Sequence, residues 1–212
     1  VIISSDHTRP VPSRVTMPIL LHHIHSAAPE ACVRILVATG MHRPSTHEEL
    51  VNKYGEEIVA NEEIVMHVAT DDSMMKKIGT LPSGGECIIN KIAADCDLLL
   101  AEGFIEPHFF AGFSGSRKSV LPGIASYKTI MYNHNGQFVN DSHSRAGNLC
   151  HNHVSEDMFA AAEMAHLAFV LNVVLNGKHE VIGSFAGDIH KAHEAGCEFV
   201  AATPSIRTSI RL

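Results

Sequence analysis

A single lysine, Lys118, sits in the segment GFSGSRKS (residues 112–119), where Gly112, Ser114, Gly115, Ser116 and Ser119 surround it with bare backbone amides and hydroxyls. With Arg117 beside it, this set suits the holding of an anion such as a phosphate. It equally suits Lys118 as a nucleophile. The spacing comes within one position of the phosphate-cradling G-x-x-x-x-G-K-S loop. It departs where that turn needs its second glycine, directly before the lysine: Arg117 stands there, and a Cβ disfavours the left-handed backbone required. Pro122 and Gly123 would also interrupt the long helix that should start at the lysine, so nucleoside triphosphate binding is not expected.

Histidine is the other chemical resource: the chain holds 16, as many as Lys and Arg together, and imidazole is both the commonest metal ligand and the physiological acid/base. His108, in EPHFF, lies ten residues before Lys118 on the same connected loop and is close enough in the chain to share its pocket. His42, in TGMHRPST, is either an ordinary loop histidine or a catalytic one. His134 follows a short helical stretch and has no Cys or second His at metal spacing. His22, His23 and His25 contain no i,i+4 pair, so one helical face cannot present two of them to a metal. In DHTRPVP, Asp6 and Arg9 either pair with each other at the surface, for little energy, or serve a ligand, the guanidinium being suited to a carboxylate. No H-E-x-x-H or H-x-x-E-H spacing supports a zinc hydrolase. A nickel- or anion-binding domain without catalysis remains an alternative.

These residues need strands that end in loops. Apolar runs at 1–4, 33–38, 97–101 and 167–175 read as strands buried on both faces, and 64–68 and 86–92 as further extended pieces. Helical patterns separate them at 16–28, at 46–54 behind a Thr46/Glu49 capping box, at 127–132, at 155–166 with Ser155 as cap, and at 188–201. Alternating apolar strands and helices predict an α/β domain with a mainly parallel sheet flanked by helices, Rossmann-like in its layers. In such sheets ligands bind at the carboxyl ends of strands, where residues 6–12, 39–46 and 105–119 all fall.

The 212 residues, 45% of them hydrophobic, can bury one good core or two small ones. No run of about 18 apolar residues offers a membrane span. The net charge of -7 and the lack of a basic cluster argue against nucleic acid as a partner. Five cysteines, odd in number and never in C-x-x-C, read as reduced thiols of a cytoplasmic protein. Because it starts at Val1 inside a strand pattern and ends on residues 207–212, the chain is expected to be a single α/β cofactor-binding domain, 1–212, from a longer two-domain protein.

Taken together, GFIEPHFFAGFSGSRKSVLPGIAS, DHTRPVP, TGMHRPST and the Asn133-His134 pair resemble the nickel-pincer lactate racemase family, in matching order and over almost the whole chain. The family pattern has a second glycine where Ser116 stands. The resemblance implies a racemase of a 2-hydroxy acid, lactate or a close analogue, that works by hydride transfer to and from a nickel-pincer nucleotide of the pyridinium-3,5-bisthiocarboxylic acid type. It implies that Lys118 carries this cofactor covalently within the Ser114, Gly115 and Ser116 loop, that His134 ligates the nickel, that His42 and His108 are the two bases, and that Asp6 and Arg9 bind substrate. Proteins that make the cofactor would be its partners.

Overall fold

The structure is a computed structural model that describes residues 1–203; the 207–212 stretch lies outside the described residues. The chain opens with β1 (Ile2–Ser5), α1 (Ser13–Ala27), β2 (Arg34–Ala38), α2 (His47–Tyr54), α3 (Glu56–Asn61) and β3 (Glu63–Met66). A hairpin of β4 (Met75–Thr80) and β5 (Glu86–Asn90) leads through α4 (Lys91–Ala94) to β6 (Leu99–Phe104). The loop beyond β6 carries the small ladder of β7 (Pro107–His108) with β8 (Gly112–Phe113), then α5 (Arg117–Val120), α6 (Tyr127–Asn133) and α7 (Gly136–Val139). The described chain closes with α8 (His153–Met164), β9 (Leu167–Leu175), β10 (Val181–Gly187) and α9 (Ile189–Ala202).

Six strands form one sheet in the order β10-β9-β6-β1-β2-β3, parallel at every pairing except β10 on β9. The predicted α/β class with a mainly parallel sheet is therefore what the chain adopts. Side chains alternate across the strands as a pleat requires. Ile3, Leu36 and Leu99 pack into one core with Val154, Met158 and Ala162 of α8, whereas their neighbours Ile2, Ile35 and Leu100 pack into a second with Met17, Leu20 and Leu21 of α1 and Tyr54 of α2. Both faces are thus covered by helices, which is why these strands read as continuous apolar runs.

Several boundaries differ from the sequence reading for identifiable reasons. α1 starts at Ser13, not at residue 16, because Glu102 serves its amino-terminal turn: the Glu102 carboxylate, buried in β6, accepts hydrogen bonds from the Ser13 and Thr16 hydroxyls and from Ser4 Oγ at 2.6 Å. Tyr54 in turn donates to Ser4 Oγ at 2.8 Å. A carboxylate inside a strand is acceptable only when so partnered, and this one ties β1, α1 and β6 together beneath the loop at 6–12. Helix α8 starts at His153, with Asn152 rather than Ser155 as cap. The Thr46/Glu49 capping box of α2 forms as read.

Candidate active site

Strands β1, β2 and β6 are neighbours in the sheet, so the loops leaving their carboxyl ends meet. His7 Nδ1 lies 2.9 Å from Ser45 Oγ, joining the first two loops, and Gly40 N donates to Gly123 O at 2.9 Å, joining the second to the segment after α5. Between them opens a cavity of about 320 Å³, and Asp6, Arg9, His42, His108, Lys118 and His134 all line it. Residues separated by more than a hundred positions are brought together because three parallel strands end at one crevice.

On one side stands an imidazole held by a carboxylate. Asp6, 1% exposed, places Oδ2 2.6 Å from His42 Nδ1, while Oδ1 accepts from Thr8 N at 3.0 Å and Thr8 Oγ1 at 2.6 Å. Asp6 therefore faces His42 rather than Arg9. A carboxylate at Nδ1 fixes the proton there and leaves Nε2 with a free lone pair, the arrangement of a base ready to accept. Arg9 is exposed, and none of the ion pairs among the described residues involves it. Arg43 forms a bidentate pair with Glu49, at 2.8 and 2.6 Å, and so braces the loop that carries His42.

Across the cavity, Lys118 Nζ lies 2.7 Å from His108 Nε2. Phe110 meets three functional groups: its ring stands edge-on to His108 at 4.6 Å and to His134 at 5.1 Å, and Lys118 Nζ lies 5.7 Å from its centroid. Phe109 stacks on His108 at 4.7 Å and is 74% exposed at the mouth. In this apolar setting charge is disfavoured. Burial, with the Arg117 and Arg9 charges adding to it, pushes the Lys118 amine down to about 7. Burial and the neighbouring Lys118 push His108 down to about 3, and burial, then Lys118, pushes His134 down to about 4. His134 Nδ1 is buried with no hydrogen-bond partner, as are Arg117 Nε and Asn133 Oδ1, and of the three residues His134 lines the cavity.

The Ser/Gly loop divides into two parts. Ser114 and Gly115 line the cavity, with the Ser114 hydroxyl donating to Phe104 O and accepting from Glu106 N, both at 2.9 Å. Ser116 turns inward, and its N and Oγ both donate to Asn172 Oδ1, at 2.9 and 2.7 Å. Gly115 has φ +121°, and a Cβ there would stand 2.7 Å from His193 Cδ2, so the lysine loop closes this tightly only around a glycine. Arg117, 2% exposed, does not face an anion: its guanidinium donates to the carbonyls of Ala111, Phe113 and Ser114 and to Ser155 Oγ, and stacks on Phe159 at 4.6 Å. His193 Nε2 donates to the same Ser114 carbonyl at 2.8 Å.

Asn172, His193 and Phe110 are what the sequence reading missed, and Arg117, read as an anion partner, instead braces the loop from within. Asn172 could have been found, because an amide in the middle of LAFVLNVVL needs a buried partner. Arg117 and His193 act on backbone carbonyls, which no motif displays. Among the described residues no group of three His, Cys, Asp or Glu could hold a metal alone. All five cysteines are unpaired, and no helix of the described residues is long and apolar enough to cross a membrane.

A family model, the lactate racemase N-terminal domain, matches residues 1–147. Lactate racemase of Lactiplantibacillus plantarum is 68% identical over 206 residues, which are 97% of this chain and 49% of that protein. Lactate racemase of Thermoanaerobacterium thermosaccharolyticum is 53% identical over 206 residues, 97% of this chain and 48% of its own length. The structure of the latter's apoprotein superposes with a TM-score of 0.92 at 54% identity, covering 94% of this chain and 48% of that one. A Thermotoga maritima protein, 24% identical, shares the fold with a TM-score of 0.79 over 93% of this chain and 53% of its own. The chain thus spans about half the length of the curated relatives it matches.

Proposed function

The chain belongs to the lactate racemase N-terminal domain family, and from that premise we propose that it is the cofactor-carrying half of a 2-hydroxy acid racemase acting on lactate or a close analogue. The observation that carries this reading is the convergence of a low-pKa lysine, an imidazole with an orphaned nitrogen and a carboxylate-held imidazole on one cavity.

The cavity fits a nickel-pincer nucleotide. A metal that brings most of its ligands within an organic group would find in His134 Nδ1, buried and unpartnered, one further ligand. Lys118 provides an amine through which a thiocarboxyl group is tethered in an amide-like link. Ser114 and Gly115 border that tether, whereas Ser116 supports it from behind through Asn172. Proteins that build the cofactor are then obligate partners, and the unpaired thiols suit a cytoplasmic setting.

Inverting a carbon that bears a hydroxyl means breaking a scarcely acidic C–H bond, and removing hydrogen as hydride avoids a carbanion. When bound, the nickel pincer supplies the centre that takes up and returns that hydride. Arg9, free of carboxylate partners, clamps the substrate carboxylate at the cavity mouth. His42 accepts the hydroxyl proton at Nε2 as the carbonyl forms, and Asp6 stabilises the imidazolium that results. His108, the second imidazole in the cavity, serves the enantiomer whose hydroxyl His42 does not meet. Phe109, Phe110 and Val11 make the walls apolar and exclude water from the reacting carbon.

The test is to produce the full-length protein with cofactor-making proteins, weigh it intact, and follow D/L interconversion of lactate. An adduct abolished by Lys118→Ala, nickel lost from His134→Ala while the adduct stays, and interconversion by the native protein are the expected results. An unmodified mass without nickel would overturn the reading.

A further inference from the structure

We propose that His108 has a task before any reaction at substrate: it holds Lys118 as an uncharged amine, the form in which the lysine captures its cofactor. The inference rests on the tethering role given to Lys118 above and assigns a second role to a residue otherwise placed at substrate.

His108 Nδ1 accepts a hydrogen bond from Ala111 N at 3.2 Å, so Nδ1 carries no proton and the ring is not imidazolium. A neutral imidazole has one N–H, which must then be on Nε2. Nε2 lies 2.7 Å from Lys118 Nζ. An N–H directed at that distance needs an acceptor, and an ammonium has three donors and no lone pair. The contact is therefore satisfied by Nε2–H donating to a free amine and by no other assignment that keeps the Ala111 bond.

The surroundings agree. Burial, and after it the Arg117 and Arg9 charges, disfavour the ammonium and together outweigh Glu106, which favours it, so the amine falls to about 7. Phe110 presents a ring face at 5.7 Å, which is no anion to restore the ammonium.

In the capture step the amine would turn its lone pair from His108 Nε2–H to a thiocarboxyl carbon and form the C–N bond. Hydroxide leaves with the C–O electron pair and becomes water by taking the proton that nitrogen sheds, so no oxidant or reductant is involved. Afterwards the nitrogen lone pair is delocalised into the new amide-like group and is no longer an acceptor. His108 Nε2 is then released to the cavity, so capture comes before His108 is available to substrate.

The experiment uses the full-length protein made without cofactor-building proteins. Long-range imidazole ¹⁵N spectra of the native protein, assigned with His108→Ala, should show His108 protonated at Nε2; protonation at Nδ1 would overturn the proposal without any question of misfolding. Acetylation by a small activated ester at pH 7.5, read by peptide mass, should modify Lys118 on the order of tenfold faster in the native protein than in His108→Glu, whose carboxylate would favour the ammonium by about one pKa unit or more. Equal rates would overturn it. Finally, cofactor loading followed by intact mass should be slowed in His108→Glu and His108→Ala. Native protein that loads while both variants load equally fast would sink this inference alone, whereas native protein that never loads would sink the tethering role itself.

Discussion

Asp6 and His42, 36 residues apart and on the loops of adjacent strands, meet at 2.6 Å with the carboxylate buried and the imidazole half in solvent. In this contact the carboxylate is spent on Nδ1, and the ring atom it leaves free is Nε2. The sequence places Asp6 as a substrate-binding residue. The geometry supports a positioning role, acting on substrate through His42.

Asp6→Asn separates these roles. The amide can donate to Nδ1, moving the ring proton to Nε2 and removing the free lone pair, so kcat in the loaded full-length enzyme should fall on the order of 10²–10⁴-fold. KM should change little. A rise in KM at unchanged kcat, measured with each enantiomer, would instead place Asp6 at the substrate.

The Lys118 amine makes stability depend on pH with a defined sign. Its ordinary value of 10.5 falls to about 7 in the folded protein, so between these limits the unfolded chain binds more protons and stability rises with pH. Below about 7 the full cost of burying the charge is present. Thermal unfolding of the cofactor-free protein and of Lys118→Met from pH 6 to 9 should therefore show the native protein gaining on the variant as pH rises. Parallel curves would show that the amine is not buried as a free base.

Arg117→Met tests what holds the lysine loop. The substitution keeps bulk against Phe159 but leaves the carbonyls of Ala111, Phe113 and Ser114 short of donors. At about 1–3 kcal/mol per unsatisfied buried group, partly relieved by relaxation, the loss is roughly 2–4 kcal/mol. The melting temperature should fall by roughly 5–15 °C for a chain of this size. Anion binding at the loop should not depend on Arg117 at all, and a phosphate-dependent stabilisation abolished by Arg117→Met would contradict the inward placement of its guanidinium.

What was legible in the sequence follows from what sequence patterns encode. Strands covered on both faces must be apolar throughout, so β1, β2, β6 and β9 were visible as runs, and the Thr46/Glu49 box announced α2 because both members of a cap lie within one turn. The strand β10 was not read, since it is an edge strand with alternating exposure in VIGSFAG and little apolar signal. Candidate residues were legible through their motifs, and the crevice gathers all of them except Gly112, Ser116 and Arg117. Their partners were not: Glu102 beneath α1, Asn172 behind Ser116 and His193 on the Ser114 carbonyl are each more than fifty positions from what they hold. A pairing at that separation exists only once the sheet order is known.

The two histidines give the last prediction, because the structure sets them differently. His42 has its proton on Nδ1, against Asp6, and its Nε2 free; His108 has Ala111 N at Nδ1 and must give up that 3.2 Å bond before Nε2 can accept a proton. If each imidazole serves one enantiomer, replacing either should stop net racemisation while leaving a half-reaction intact. In a single turnover with loaded enzyme, His108→Ala should still convert one enantiomer to keto acid at a rate near native, since His42 is already arranged as a base. His42→Ala should convert the opposite enantiomer, and more slowly, since His108 must first exchange its ring proton. Chiral analysis of the unreacted acid, with keto acid measured by rapid quench, reads both the preference and the rate. Equal residual reactivity toward both enantiomers in both variants would mean that one base serves both faces, and the division of labour between His42 and His108 would be wrong.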